Sequence, residues 1–261
     1  MKISIITPCY NAAKTIVRTM DSVLAQTVSP FEYIIIDGGS TDGTVEIAKS
    51  HPAVTYVISE KDKGIADAFN KGIALSSGDA IGIINSDDWY EPEAIEKATA
   101  GLADSSVGVF HGALQYWNGS ERYACFYPNI QMITKEMTVN HPTVFIKKCI
   151  YETYGYFDDS YRYAMDYELM LRLWIRNVKF VHDNTVIANM ALSGISDEHW
   201  IAAYREVARA KANLLGETIT AWKYWMWQVG RTATRKALLR AGLYGVVRTW
   251  RTHFSVMKKS K

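Results

Sequence analysis

Short apolar runs alternate with polar clusters along the first 90 residues of the chain. Four runs are brief and rich in β-branched residues, which predicts buried strands at 2–7, 33–36, 54–58 and 80–84. Between the first two runs, apolar residues recur at helical spacing, at Ile16, Met20, Val23 and Leu24. Strands that alternate with helices at this spacing predict βαβ units, with a mostly parallel α/β sheet.

Polar residues follow three of the predicted strands directly. The first strand leads into Thr7-Pro8-Cys9-Tyr10-Asn11, the second into Asp37-Gly38-Gly39-Ser40, and the fourth into Asp87-Asp88. Ligands of an open parallel sheet bind outside the carboxyl ends of its strands, so these three segments are expected to converge on one crevice. Paired carboxylates there suit Mg²⁺ or Mn²⁺, whose other ligands are usually water and substrate phosphates.

Each of these features also has a local explanation. An Asp-Asp pair is common in turns and at helix starts, and Gly-Gly before a helix is often only a turn. Pro8 is expected to end the first strand, and Asn11 to cap the helix that follows. The loop 37–44 lacks the Gly-x-Gly-x-x-Gly and Gly-Lys-Ser/Thr patterns, which argues against a dehydrogenase and a phosphate-loop kinase.

The composition indicates a reducing compartment and no nucleic-acid partner. A chain of 261 residues with 48% hydrophobic residues can bury a large core, and its net charge of +2 is small. The three cysteines, Cys9, Cys125 and Cys149, are widely spaced, which favours buried free thiols. We expect no signal peptide and no transmembrane helix, because no stretch approaches about 18 apolar residues.

Four motifs occur together and in order. They are Thr7-Pro8-x-Tyr10-Asn11, the Asp-Gly-Gly-Ser-Thr-Asp-Gly-Thr run at 37–44, Glu60-x-Asp62-x-Gly64-Ile65-x-Asp67-Ala68-x-Asn70-Lys71-Gly72, and Asn85-Ser86-Asp87-Asp88. The set resembles the bacterial family 2 glycosyltransferases, which transfer a sugar from a nucleotide diphosphate donor with inversion at the anomeric carbon. The resemblance implies a Rossmann-like GT-A fold, with helices on both faces of the central sheet and a helical C-terminal extension.

The resemblance also implies where the nucleotide lies. Thr7, Pro8 and Tyr10 would wrap the nucleobase. Asp37 would accept a hydrogen bond from the base, and Asp62 would lie beside the base or the ribose. The other matching positions expected at the nucleotide-sugar donor are Asn11, Gly39, Ser40, Asp67 and Asn70.

In the same way, the resemblance gives the two carboxylates after the fourth strand separate roles. Asp87 would reach the ribose or the donor sugar, and Asp88 would ligate the Mn²⁺ or Mg²⁺ that bridges the diphosphate. The family's metal motif is often Asp-x-Asp, whereas this chain has Ser86-Asp87-Asp88. The variant leaves fewer protein ligands for the metal.

A further carboxylate, Asp166, lies in the predicted helix around 164–174. Helical spacing puts it on one face with Leu169, Met170 and Leu173. It is therefore expected to point inward, although stabilisation of a helix N-terminus is an alternative reason for it. The segment resembles the family's Glu-Asp catalytic motif, which would make Asp166 the general base and puts Met165 where a Glu is usual.

In that helix Glu168 precedes Arg172 by four residues, the favourable order for an ion pair. Such pairs contribute about 0.2–0.5 kcal/mol on an exposed helix face. We therefore expect this pair to lie on the surface and to have no role in the site.

Three features bear on the acceptor side. Aromatic residues cluster between 108 and 145, either as a sugar platform or as half-buried strand packing, at Tyr116, Trp117, Tyr123, Phe126 and Tyr127. His141, in Asn-His-Pro-Thr, resembles a family motif near the acceptor, although a lone His is often structural. Gly194 and Ser196 lie in a segment that resembles the family's flexible lid, although an ordinary loop explains them equally well.

The chain beyond Glu217 has no acidic residue and many basic ones. An apolar helical stripe runs along Leu239, Leu243, Val246, Val247, Trp250 and Phe254. A basic amphipathic helix with Trp predicts a membrane-surface segment, and packing on the catalytic domain or on a second subunit is the alternative. The expected domains are 1–217, with a nucleotide-sugar half at 1–90 and an acceptor half at 91–217, and a tail at 218–261.

These expectations combine into one function. The chain is predicted to be an inverting hexosyl- or N-acetylhexosaminyltransferase of cell-surface polysaccharide biosynthesis, cytoplasmic and peripheral at the inner face of the membrane. UDP-sugar is the expected donor, and a saccharide or lipid-linked saccharide is the expected acceptor. Two alternatives stay open: a nucleotidyltransferase that makes sugar nucleotides, and a non-catalytic membrane-surface binding protein. The first would normally have a basic phosphate-binding motif near its first strand, and Lys14 alone is poor support for one.

Overall fold

The computed structural model describes residues 1–191, 199–243 and 245. The chain divides into two compact units, Met1–Ser193 and Gly194–Lys261. The functional division expected after residue 217 stays a prediction.

The first unit alternates strands and helices. Its strands are β1 Ile3–Cys9, β2 Glu32–Asp37, β3 Tyr56–Ser59, β4 Ala80–Ile83, β5 Trp89–Tyr90, β6 Val107–Asn118, β7 Glu121–Phe126, β8 Phe145–Lys147 and β9 Lys179–Ala191. Its helices are α1 Ile16–Leu24, α2 Thr44–Ser50, α3 Ile65–Leu75, α4 Ala94–Gly101, α5 Lys148–Tyr154 and α6 Met165–Ile175. The four predicted strands and the helices between them are all present.

One sheet organises this unit, in the order β3-β2-β1-β4-β8-β6-β9-β5, with β7 paired to β6. The strands β3, β2, β1 and β4 are mutually parallel, and β6 and β9 are parallel to each other. The shorter β8 and β5 and the hairpin strand β7 pair antiparallel. The predicted α/β class with a mostly parallel sheet is therefore confirmed.

Helices cover both faces of the sheet. The residues Ile5 and Ile6 of β1 point to opposite faces because side chains alternate along a strand. Ile5 shares a buried cluster with Ile16 of α1 and Ile95 of α4. On the other face, α3 approaches so closely that a Cβ on Gly72 would lie 2.5 Å from the Cγ2 of Ile6.

Pro8 does not end the first strand, contrary to the sequence-based expectation. It lies inside β1, is buried, and is in register with Ile36 of β2. The next residue, Cys9, accepts a hydrogen bond from Gly38 on the β2 side, so Pro8 faces the β4 side. Pairing with β4 stops at Ile6, and the missing N–H of Pro8 therefore leaves no ladder bond unmade.

Asn11 does not cap α1, which corrects a second expectation. Thr15 occupies the N-cap position, and it has no capping side-chain hydrogen bond. Asn11 instead adopts a left-handed conformation with φ 49°, and its Oδ1 accepts a hydrogen bond from the backbone N–H of Thr41. Its side chain therefore joins two loops.

The cysteines are free thiols, but they are not all buried as expected. Cys9 is buried, Cys125 is half-buried and Cys149 is exposed. The expectation of buried thiols was wrong for Cys149, which lies near the start of the short helix α5.

In the Glu168–Arg172 pair, Glu168 is buried and Arg172 half-buried, although the sequence predicted an exposed pair. Arg172 donates two hydrogen bonds to the Glu168 carboxylate, at 2.8 and 3.0 Å. The same guanidinium donates to the carbonyls of Tyr154, Gly155 and Tyr156. The pair therefore fastens the loop after α5 to α6, and a buried carboxylate is tolerated because it is paired.

The second unit contains α7, Trp200–Leu215, and α8, Thr218–Arg240. Tyr204 and Thr232 hydrogen-bond between the two helices at 3.2 Å, and the Lys211 ammonium lies 3.4 Å from the centroid of the Tyr224 ring. No described helix combines the length and the apolar content needed to cross a bilayer. Most of the predicted stripe, at Val246, Val247, Trp250 and Phe254, lies outside the described residues.

Candidate functional site

The loops that follow β1 and β2 are joined by hydrogen bonds. The Asn11 N–H donates to the Oγ of Ser40 at 2.7 Å, and the Ala12 N–H donates to the Oγ1 of Thr44 at 2.8 Å. The Ala13 N–H donates to the carboxylate of Asp42 at 3.0 Å. The two strand ends therefore form one continuous rim, as the parallel-sheet argument predicted.

Asp37 organises this rim from inside. It is 0% exposed, and its carboxylate accepts hydrogen bonds from the backbone of Gly39 and Ser40 and from the side chains of Ser40, Ser59 and Cys9. Burial alone would raise the pKa of Asp37, but the hydrogen bonds, those of Ser40 and Ser59 first, hold it below its usual value. Asp37 is thus a charged anchor for the glycine-rich loop, and its oxygens are already occupied.

Tyr10, Gly38 and Asp62 meet at the outer edge of the rim. The Tyr10 side chain is 67% exposed. A Cβ built on Gly38 would lie 2.5 Å from the Oδ2 of Asp62 and 3.5 Å from the Cδ2 of Tyr10. A side chain at this position would make the end of the Asp62 side chain move. The ring and the carboxylate predicted to flank a nucleobase are therefore side by side.

Thr7 and Pro8 lie beneath this edge and are both buried. The Thr7 hydroxyl hydrogen-bonds the hydroxyl of Tyr33 at 2.9 Å. These two residues, predicted to wrap the base, support the rim from below in this structure.

Asp67 and Asn70 have hydrogen-bond partners within the protein. Asp67 pairs with Lys71 at 3.1 Å and accepts the Lys63 N–H at 3.1 Å. The Asn70 amide exchanges two hydrogen bonds, of 2.9 and 3.0 Å, with the backbone of Phe157. Both residues help to hold α3 in place, and their contact with a nucleotide stays a prediction.

The carboxylates Asp87 and Asp88 lie in the loop between β4 and β5. Arg18 donates to the backbone carbonyl of Asp87 at 2.7 Å, and Thr19 donates to that of Asp88 at 2.6 Å. The α1 helix therefore holds the loop by its backbone and leaves the carboxylates for other partners. Asp87 is half-buried and Asp88 fully buried.

Asp88 is poorly satisfied. The amide of Asn85 donates to its Oδ2 at 3.3 Å, whereas its Oδ1 is buried without a hydrogen-bond partner in the described part of the chain. Burial, and then the neighbouring charge of Asp87, raise the pKa of Asp88 well above 3.8. A buried carboxylate with a single long hydrogen bond is costly, and a bound cation would stabilise it.

These two carboxylates fit a divalent ion with few protein ligands. Among residues 1–191 and 199–243, no group of three or more His, Cys, Asp or Glu side chains is arranged around a common metal position. Mg²⁺ and Mn²⁺ are often held by only one or two carboxylates, with water and phosphate oxygens completing the shell. A cation would give the unpaired Oδ1 of Asp88 the partner that it lacks.

Asp166 is the second residue of α6 and is half-buried. It lines a small cavity with the apolar residues Ile83, Met137, Val144, Ile146, Tyr151, Phe157 and Met170 and with His141. The inward orientation predicted from helical spacing is therefore present.

His141 and Met165 are parts of the surrounding packing. The His141 ring stacks on Phe69, with centroids 4.8 Å apart. Burial lowers its pKa to about 4, so the ring is neutral at pH 7, and its buried Nε2 lacks a partner within the described residues. Met165 is buried. Gly194 and Ser196, the predicted lid residues, lie outside the described residues.

Tyr116, near the end of β6, brings the two halves of the site together. Burial raises the pKa of its hydroxyl to about 12, and the negative charges of Asp88 and Asp166 add to the rise. Both carboxylates therefore lie within electrostatic reach of one phenol, although 78 residues separate them in sequence (166 − 88). This is the centre of the candidate site.

Sequence reasoning gave Tyr116 only a general aromatic role and did not name Arg18. No spacing rule could have found Arg18, because its partner Asp87 lies 69 residues away. Its polar position on an amphipathic helix is typical of a solvated residue.

Comparison with known proteins gives a consistent set of likenesses. The sequence model described as "Glycosyl transferase family 2" matches residues 4–146. Chondroitin synthase of Escherichia coli is 33% identical over 202 residues, which cover 74% of this chain and 29% of that protein. Hyaluronan synthase of Pasteurella multocida is 31% identical over 207 residues, which cover 74% and 20%. The chain thus spans less than a third of these relatives.

Two solved structures share the fold. Residues 1–349 of S. aureus TarS, in complex with UDP-GlcNAc, align with a TM-score of 0.65 at 18% identity and cover 88% of this chain and 72% of that one. The mannosyltransferase PcManGT of Pyrobaculum calidifontis, in complex with GDP-Man and Mn²⁺, aligns with a TM-score of 0.64 at 20% identity and covers 96% and 83%. At these identities the likeness concerns the fold.

Proposed function

Because the chain belongs to glycosyl transferase family 2 and has its predicted GT-A fold, we propose that it transfers a sugar from a nucleotide-diphosphate sugar to a hydroxyl group of a saccharide acceptor. The observation that carries this proposal is the position of Tyr116 within electrostatic reach of both Asp88 and Asp166. Two carboxylates that both act on one phenol lie in the same part of the fold, so one could serve a departing diphosphate and the other an attacking hydroxyl. Family membership also favours sugar transfer over the nucleotidyltransferase and lipid-binding alternatives.

The nucleotide would lie on the rim formed by the loops after β1 and β2. The exposed Tyr10 ring offers a stacking surface, and Asp62 beside it can accept hydrogen bonds from a base or ribose. Asp37 would act through the loop that it anchors, because its own oxygens are occupied. UDP is the proposed donor nucleotide, since TarS was solved with UDP-GlcNAc, and GDP, found with PcManGT, is the alternative.

Asp88, with Asp87 next to it, would hold Mn²⁺ or Mg²⁺. When bound, such an ion neutralises negative charge on a departing diphosphate. The support from this chain is the buried, unpaired Oδ1 of Asp88 and its raised pKa, both of which a nearby positive charge would correct.

Asp166 would be the general base. It would remove the proton from the acceptor hydroxyl while that oxygen bonds to the anomeric carbon and the bond to the diphosphate breaks. Attack from the side opposite the leaving group inverts the anomeric configuration. The half-buried position of Asp166 at a cavity supports this role, because a general base must lie where an acceptor hydroxyl can approach its carboxylate.

The test separates binding from chemistry. Thermal unfolding with Mn²⁺ and UDP, then with GDP, should show a rise of roughly 5–10 °C at a ligand concentration near a hundred times Kd. Asp166→Asn should keep that rise and lose sugar transfer from a panel of UDP-sugars and GDP-mannose, by about 10²–10⁴-fold. Donor affinity that collapses together with activity in this variant would contradict the base assignment.

We also propose that α8 lies on an anionic membrane surface, at the inner face of the cell membrane. Its apolar residues Ile219, Trp222 and Met226 share one helix face and are 74%, 37% and 59% exposed. The helix carries basic but no acidic residues, at Lys223, Arg231, Arg235, Lys236 and Arg240. Exposed Trp beside cations suits the boundary between anionic headgroups and acyl chains.

Sedimentation with lipid vesicles tests this contact. The chain should bind vesicles that contain phosphatidylglycerol and not vesicles of phosphatidylcholine alone. The double variant Trp222→Gln/Met226→Gln should release it, whereas Leu75→Gln, at an exposed Leu of the first unit, should not. Equal binding of both variants would overturn the proposal, and it would leave the sugar-transfer proposal unaffected.

A further inference from the structure

Four side chains lie in a row beside the candidate site, in the order Arg18, Trp89, Trp117, Arg122. The Arg18 guanidinium lies 3.7 Å from the centroid of the Trp89 ring. The centroids of the Trp89 and Trp117 rings are 5.7 Å apart, with the rings tilted by 47°, and the Arg122 guanidinium lies 5.6 Å from the centroid of the Trp117 ring. We call this row the Arg–Trp ladder. Its members come from α1, β5, β6 and β7, so only the tertiary fold assembles it.

We propose that the Arg–Trp ladder is a subsite for an acceptor saccharide that carries a negative charge, a carboxylate or a phosphate. This inference rests on the proposed transfer of a sugar to a saccharide. It adds the class of acceptor and the residues that select it.

The ladder is held rigidly from below. The indole N–H of Trp117 donates to the Oδ1 of Asn189 at 2.7 Å, and the Asn189 amide donates to Glu91 at 2.8 Å. Asn189 is buried and is in register with Trp89 across the β5–β9 pair. Because the buried amide fixes the indole plane, a ligand would meet an ordered aromatic surface and would not have to order it.

The guanidinium groups of the two arginines are accessible to a charged ligand. Arg18 and Arg122 are both exposed, and within the described residues neither lies in an ion pair with a carboxylate. The contrast is Arg172, whose guanidinium is fully used by Glu168 and three carbonyls. The ladder therefore presents two guanidinium groups to solvent at either end of two half-exposed indoles.

The ladder adjoins the reacting groups. Trp89 directly follows Asp88, and Arg18 donates to the carbonyl of Asp87 at 2.7 Å. Trp117 directly follows Tyr116, and the β6–β7 pairing shifts register between these two residues. Such irregularities redirect side chains next to active sites. A saccharide whose hydroxyl reached the space near Tyr116 would have its next sugar within range of the ladder.

The binding preferences of these side chains indicate the class of ligand. Indole faces pack against the C–H faces of sugar rings, and guanidinium groups bind carboxylates and phosphates through paired hydrogen bonds. A neutral glycan would use the indoles but would leave both cations without a partner. A saccharide with acidic residues can contact the indoles through its rings and a guanidinium at one or both ends through its charged groups, and the phosphate of a lipid-linked saccharide offers the same charge.

Isothermal titration of the full chain, with UDP and Mn²⁺ present, tests the inference. The probes are a tetrasaccharide that alternates glucuronic acid with N-acetylglucosamine, the same compound with its carboxyl groups reduced, and an N-acetylglucosaminyl diphosphate with a short lipid chain. At least one charged probe should bind about tenfold or more tightly than the reduced one. Whichever charged probe does so identifies the source of the charge.

The preference should fall to near unity in Arg18→Gln/Arg122→Gln, whereas all probes should weaken in Trp117→Ala. Arg176→Gln, at an exposed arginine at the end of α6, is the matched control and should keep the preference. Equal affinity for charged and reduced probes, or a preference that survives the double substitution, would overturn the inference. Nucleotide binding by the unmodified chain separates the two proposals. If this chain binds no nucleotide, the proposed function has failed. If it binds UDP but shows no preference for the charged probes, only the subsite proposal has failed.

Discussion

Asp37 is the last residue of β2 and Asp88 lies in the loop after β4, the two strands that flank β1, and both residues are 0% exposed. Asp37 accepts hydrogen bonds from two backbone amides and three side chains, and its pKa is lowered. Asp88 accepts one, at 3.3 Å, and its pKa is raised. The same residue type, out of contact with solvent at both positions, thus has opposite pKa shifts, because Asp88 is the more deeply buried, lies beside the charge of Asp87 and has fewer donors.

The difference separates two uses of a buried charge. Around Asp37, several hydrogen bonds stabilise the carboxylate anion and hold the glycine-rich loop in place. Around Asp88, one carboxylate oxygen has no hydrogen-bond partner among the described residues, and a bound cation would supply one. Positions that weaken the fold in this way are typical of functional sites, since stability and activity make opposing demands there.

The largest expected effect is on activity. Asp88→Asn should lower sugar transfer by about 100-fold or more, because it removes the charge that would hold a cation at the diphosphate. Asp159→Asn, at an exposed carboxylate, is the matched control and should leave turnover unchanged. Release of nucleotide diphosphate from the active donor measures both. Full activity in Asp88→Asn would contradict the proposed role of the Asp88 carboxylate in holding a cation.

The next effect is on stability and has opposite signs at the two positions. Asp37→Asn should lower the free energy of unfolding by about 2–4 kcal/mol, because an amide group would face donors that now bind a carboxylate. Asp88→Asn should raise it by about 1 kcal/mol, because an uncharged amide escapes the penalty for burying a charge. Urea unfolding of both variants without ligand measures the contrast, and a loss of similar size at both positions would contradict it.

The smallest effect is the pH dependence of that contrast. A raised pKa in the folded state means that Asp88 costs stability above its unfolded pKa, near 3.8, and costs none below it. The advantage of Asp88→Asn should therefore be absent at pH 3.5 and grow as the pH rises. For Asp37, with a lowered pKa, the loss in Asp37→Asn should shrink as the pH falls below 3.8. Unfolding curves at several pH values measure both trends, and trends with the same sign would contradict the assignment.

Much of the fold could be predicted because its signals are local. The helix α1 spans Ile16–Leu24, the residues at which the apolar spacing predicted a helix. The buried strands and the polar residues at their ends followed from short apolar runs, which depend on a residue's neighbours along the chain. The errors also have a local origin: Pro8 was expected to end β1, although the partner strand stops pairing before that point.

The partners of the charged groups could not be predicted in the same way. Glu168 and Arg172 have the spacing of an exposed helical pair, yet Glu168 is buried and the half-buried Arg172 binds the carbonyls at 154–156. Asn70 lies in a motif expected at the nucleotide, yet its amide binds the backbone of Phe157, 87 residues away. Spacing along one helix indicates which face a residue is on, but not what covers that face.

By itself the sequence determined the α/β architecture, the carboxylates at the strand ends and the family of the chain. All three are recorded in short runs of residues, where periodicity and motif act over a few positions. Only the tertiary structure decided that Asp37 is satisfied and Asp88 is not, that Tyr116 lies near both Asp88 and Asp166, and that Arg18 stacks on Trp89. The physical reason is that hydrogen bonding, burial and charge interaction act through space, between residues that the folded sheet brings together from distant parts of the chain.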